Sequence, residues 1–140
     1  MRETTIFENK NLIEIRTGIS HDEVHSAWKD DANEGFLFCY SIELVFDDQS
    51  TFTIKPCEVE LPGRFPALGL KVSEGKFQEQ SFLLEMEGLP SKILEIKQDD
   101  YLGEGVENQT KFTLKNDKKV VIRHVFPPMT LGIKIEASNA

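Results

Sequence analysis

The sequence predicts a mainly β protein. It is expected to form a pseudo-twofold pair of antiparallel β-meanders, packed as a sandwich or closed as a barrel, with one short helix. Three observations predict this. Short runs rich in β-branched and aromatic residues recur along the chain, punctuated by Gly, Pro, Asn and Asp. Two such runs flank the polar turn Asp47-Asp48-Gln49-Ser50 and read as a hairpin over residues 36–59. The order of the first half then recurs in the second. An α+β roll, with a curved sheet wrapped on the helix, is the alternative.

The totals bound what such a fold can do. A chain of 140 residues fits one domain, 1–140, and buries enough surface to need no disulfide or metal. With 39% hydrophobic and 29% charged residues it has a globular composition rather than a disordered one. The 16 basic and 24 acidic side chains give a net charge of −8. An acidic surface repels phosphate backbones and anionic bilayers, so neither nucleic acid nor a membrane is an expected partner. A basic protein fits that charge. Residues 1–72 hold 7 basic and 13 acidic side chains, against 9 and 11 in the rest, so an electrostatic face is expected in the first half. Residues 1–8 lack the apolar core of a secretory signal, and no apolar run approaches the ~18 residues of a membrane span. Two cysteines are not a disulfide framework. A cytoplasmic protein with reduced thiols is expected, monomeric or dimeric through an unpaired edge strand.

Taken in order, residues 1–11 are polar apart from Ile6-Phe7, which suggests an edge strand. Leu12–Arg16 reads as a strand, broken at Thr17-Gly18. Ser20-His21-Asp22-Glu23 matches a capping box, in which the Ser20 hydroxyl accepts from the Glu23 amide. A helix over about 21–32 follows, with Val24, Ala27 and Trp28 on one side. In the hairpin, Phe36, Phe38, Tyr40, Ile42, Leu44 and Phe46 share one parity, and Phe52 and Ile54 continue that face. Beyond the Pro62-Gly63 and Pro66 loop, Leu68–Val72 is a strand. Residues 82–87 alternate between strand and helix signals, with strand favoured.

The repeat spans residues 12–72 and 93–135. Ile93–Lys97 echoes Leu12–Arg16. Phe112–Leu114 and Val120–Arg123, with their intervening turn, echo Leu44–Phe46 and Phe52–Lys55. Thr130–Ile135 echoes Ala67–Val72. A lone four-stranded meander leaves edges and one apolar face open, which packing two copies together resolves.

The repeat also locates a candidate site. Residues 17–35 form an insert that the second copy lacks, holding Trp28 among Asp22, Glu23, Asp30, Asp31 and Glu34. The plainer reading is a packing helix with solvated acids and a core Trp28. His21 and His25 share a helix face at metal-binding spacing, but no clear third ligand accompanies them, so no metal or other cofactor is expected. Cys39 and Cys57 fall across from each other if the hairpin is continuous, and read as half-buried thiols. Phe65 and Phe126 flank the proline loops and are expected to pack beneath them. Asp47-Asp48 and Asp99-Asp100 sit in turns, where Asp serves the backbone. No Gly-x-Ser-x-Gly, Walker loop or Gly-x-Gly-x-x-Gly occurs. A non-enzymatic, acidic protein-binding module is therefore expected, with an inhibitor or immunity-type role as one concrete form. A small-molecule pocket between the two meanders is the alternative.

Overall fold

The structure, a computed structural model, describes residues 7–18, 35–75, 81–125 and 129–137. Those residues form ten strands: β1 (Asn11–Thr17), β2 (Leu37–Cys39), β3 (Ile42–Phe46), β4 (Thr51–Val59), β5 (Ala67–Glu74), β6 (Phe82–Leu84), β7 (Ser91–Asp99), β8 (Gln109–Leu114), β9 (Lys118–Val125) and β10 (Thr130–Ala137). All pair antiparallel, in the order β2-β10-β9-β8-β7-β1-β3-β4-β5, with β6 also on β1. The fold is mainly β, as the strand-like runs and turn residues anticipate. The helix expected over 21–32 lies outside the described residues.

β1 and β7 lie together at the centre, paired through Asn11 with Lys92 and Leu12 with Ser91. One meander runs outward from β1 through β3, β4 and β5, and the other from β7 through β8, β9 and β10. The two hairpin turns share one geometry. In the first, Gln49 N donates to Phe46 O (3.1 Å) and Ser50 N to Asp48 Oδ1 (3.0 Å). In the second, Asp117 N donates to Leu114 O (3.2 Å) and Lys118 N to Asn116 Oδ1 (3.0 Å). Gln49 and Asp117 both take the left-handed conformation, with φ of 73° and 66°. A bulge also recurs: β1 slips against β3 between Leu12 and Glu14, and β7 slips against β8 between Ile93 and Glu95. Each extra residue breaks the period of two. Leu12 and Ile15 both enter the core, while Ile13 and Leu94 turn out to solvent.

One core draws on both meanders. Leu44, Phe46, Phe52 and Ile54 meet Ile93, Phe112, Leu114 and Ile122 there, so the sheet curls until its halves face each other. Side chains close one side of this roll. Glu104 Oε1 accepts from Leu68 N (2.8 Å), and His124 Nδ1 contacts Gly69 O (2.9 Å). Those contacts occupy part of the β5 edge with groups from the other half, which leaves less of it to recruit a foreign strand.

Three expectations are corrected. Phe7 is not on an edge strand: it is fully buried in a turn, stacked on Phe46 (centroids 5.3 Å) and edge-on to Phe52 (4.9 Å) and Phe112 (5.8 Å). Hydrogen bonds from Asn9 N to Ile93 O and from Ile93 N to Lys10 O, each 2.9 Å, hold that turn on β7. The aromatic run of residues 36–46 is not one strand either. It breaks at Tyr40-Ser41, so β2 pairs with β10 while β3 pairs with β1 and β4. Phe36 and Phe38 then join Val121 and Val125 in a separate cluster, and the exposed Tyr40 joins no core. Shared parity persists across a break in the chain even when the two pieces take different neighbours. For the same reason Cys39, opposite Leu131, and Cys57, opposite Gly69, are not cross-strand neighbours, and both are free thiols.

Candidate functional site

The β1 bulge and the short β6 shape a groove on the surface. β1 pairs with β7 at Asn11 and Leu12 but with β6 from Ile15 to Thr17. Between those ladders, at the bulge, Ile13 and Glu14 have no strand partner on that side. A groove of about 610 Å³ opens there. Ile13, Leu83, Met86 and Leu89 supply its apolar lining, with the buried Leu84 beneath. Glu14, Glu85 and Glu87 supply three carboxylates. Phe82 (37% exposed), Leu83 (53%) and Leu94 (49%) extend the apolar surface beside it. Isolated exposed apolar residues are ordinary; a run of them beside a groove marks a docking surface.

Local chemistry fixes this arrangement. Arg16 on β1 donates from Nε to Ser81 Oγ (2.8 Å) and from Nη2 to Ser81 O (3.1 Å), pinning the start of β6. The same guanidinium lies 3.4 Å from Glu14 in a half-buried pair at the rim of the groove. On the far side, Gly88 has φ of 90°, and a Cβ there would lie 2.4 Å from Asn116 Nδ2. Asn116 Nδ2 donates to Gly88 O (3.1 Å) and Asn116 N to Ser91 Oγ (3.1 Å). The loop from β6 to β7 is thereby tied to the β8–β9 turn, and Glu87 and Leu89 are held with it.

The groups most able to carry chemistry are committed elsewhere. His124 is fully buried: its Nε2 accepts from Met129 N (2.9 Å), so its Nδ1 carries the proton given to Gly69 O (2.9 Å). Burial lowers its pKa, against the Gly69 carbonyl and the charges of Glu104 and Glu58. Burial also pushes the Cys39 thiol up to about 12 and raises that of Cys57, so neither is a ready thiolate. Asp100 accepts from the amides of Gly105 (2.7 Å) and Glu104 (3.0 Å) and from Asn108 Nδ2 (2.8 Å), which lowers its pKa. Asp48, bonded to Lys10 Nζ (2.7 Å) and to Ser50 N, lies well below the usual carboxylate range. Both acids brace loops.

The residues singled out from the sequence, His21, Asp22, Glu23, His25, Trp28, Asp30, Asp31 and Glu34, lie outside the described residues. Among the described residues no three His, Cys, Asp or Glu side chains are grouped to hold a metal ion, and no helix is long and apolar enough to cross a membrane. Phe126 also falls outside them. Phe65, expected under its loop, is 89% exposed instead, because its proline-bounded loop stands clear of the sheet. The sequence carries one signal of this groove: from Leu84 to Glu87 apolar and acidic residues alternate just where strand and helix patterns conflict. No family model matches the chain, and no curated protein or solved structure matches it significantly.

Proposed function

We propose that this protein is a non-enzymatic binding module whose groove beside β1 and β6 docks a basic, apolar-anchored segment of a partner protein. One observation carries the reading: an apolar groove rimmed by Glu14, Glu85 and Glu87 on a chain of net charge −8. Carboxylates around an apolar floor steer a cationic partner in, and the desolvated apolar contact then holds it. An inhibitor or immunity-type protein, which blocks a basic partner by docking on it, is one form of this role. Phe7, Phe46, Phe52 and Phe112 pack together between the two meanders, which favours this surface site over the alternative of a small-molecule pocket there.

The test is selection of a random peptide library on the full-length protein, with the double variant Leu83→Asp, Met86→Asp as counter-target. Enriched peptides should carry Lys or Arg beside aliphatic or aromatic residues. Their affinity should fall at least tenfold in Glu85→Gln, Glu87→Gln, and should weaken with salt as a rim of charges requires. Enrichment of neutral or acidic peptides, or binding indifferent to both double variants, would sink the proposal.

A further inference from the structure

We infer that the partner segment binds as an extended strand added to the edge of β6, rather than as a helix laid in the groove. This inference rests on the docking role proposed above and specifies its geometry. Five of the residues lining the groove, Leu83 to Glu87, are consecutive in the chain, so the groove follows a length of backbone. That backbone is strand through Leu84 and continues without helix to Met86. Among the described residues β6 pairs with β1 alone, so no described strand takes up the amides and carbonyls of its other edge. A helix docked in a groove is instead held by its own side chains at i, i+3, i+4 and i+7 and takes up no main-chain groups of the groove.

The β5 edge is less receptive. At β5, Leu68 N and Gly69 O are already engaged by Glu104 and His124, and the outer half carries Lys71 and Glu74. Charge also selects the occupant. A second copy of this chain would bring Glu85 and Glu87 toward their own counterparts, whereas a strand alternating basic and apolar residues places its cations by those carboxylates. Its cations then share the face of Leu83, Glu85 and Glu87 while its apolar side chains fall on the face of Leu84 and Met86, since successive residues of a strand face opposite ways. Main-chain bonds to β6 supply affinity, and the alternation supplies selectivity.

The decisive experiment takes peptides selected on the full-length protein and methylates their backbone nitrogens, on even residues in one series and odd residues in the other. One series should lose at least tenfold in affinity while the other binds nearly unchanged, because only alternate amides of an added strand face its neighbour. Amide exchange over residues 82–86 should slow when the unmethylated peptide binds. If both series bind unchanged while Leu83→Asp, Met86→Asp still abolishes binding, strand addition is overturned and the groove reading survives. Should no selected peptide depend on Leu83 and Met86, both readings fall. A concentration-dependent dimer broken by Leu83→Asp would place a second copy on this edge and overturn the inference.

Discussion

His124 shows what a single buried side chain contributes and why the sequence conceals it. Its partners, Gly69 and Met129, come from another strand and from a loop, so no local pattern marks them. The histidine itself follows the apolar run Val120-Val121-Ile122 and Arg123 in β9 and reads as an incidental interruption. Its ring is neutral in the fold, because a protonated Nε2 would point a proton at the Met129 amide. The carbonyl of Gly69 and the acids Glu104 and Glu58 favour the charged form, but burial outweighs them and the folded pKa is lowered. The unfolded state, with a pKa near 6.5, therefore binds more protons at mildly acidic pH. His124 contributes its full stability above about pH 6.5 and loses it as pH falls from there toward the depressed folded value. Urea unfolding between pH 8 and 5 should show this slope. His124→Leu should remove it and lower stability at pH 7.5 by about 1–3 kcal/mol, since the buried Gly69 carbonyl and the part-buried Met129 amide lose partners. The gap between the proteins should narrow as the pH drops.

At the scale of elements, the turns were far more legible than the strand edges. Asp47–Ser50 and Lys115–Lys118 are short polar interruptions between apolar runs, and each closes a hairpin where the sequence places it. The bulges at Ile13 and Leu94 were hidden, because Leu-Ile-Glu-Ile and Ile-Leu-Glu-Ile also fit an unbroken strand. Only spatial neighbours decide that Leu12 and Ile15 are both inside. β6 was ambiguous because three residues on a sheet edge bury only Leu84 firmly, too little to impose a period. The matched turns make one local prediction. Gln49 holds φ of 73° without the local polar side chain that makes Asp117 comfortable at 66°. Gln49→Gly should relieve about 1 kcal/mol of left-handed strain and lose part of that to unfolded-state freedom. A net gain of roughly 0.5 kcal/mol in urea titration is expected, larger than for Asp117→Gly. Equal gains at the two turns would show that the side chain makes no difference there.

At the scale of the molecule, the all-β class was legible because strand-like runs and turn residues agree along the chain, whereas the way the halves share one interior was not. Phe7 is the clearest instance. A lone apolar pair in a polar segment gives no hint that its ring will bridge Phe46 and Phe52 of one meander to Phe112 of the other. The groove was missed for a related reason, since it exists only where β1 passes from β7 to β6. A shared core has a thermodynamic consequence: the main interior draws on both meanders, so they should unfold together. Phe112→Ala removes a fully buried ring from β8 and should lower stability by about 3–5 kcal/mol, much of the ~5–15 kcal/mol that holds a domain of this kind. Native-state hydrogen exchange reads the outcome at two distant amides, Ile54 on β4 and Ile122 on β9. Both should speed up by roughly the same hundred- to several-thousand-fold factor, and the urea transition should stay single. Acceleration at Ile122 alone would mean that the meander of β7 to β10 opens by itself, and that the phenylalanine contacts across the centre do not bind the halves into one cooperative unit.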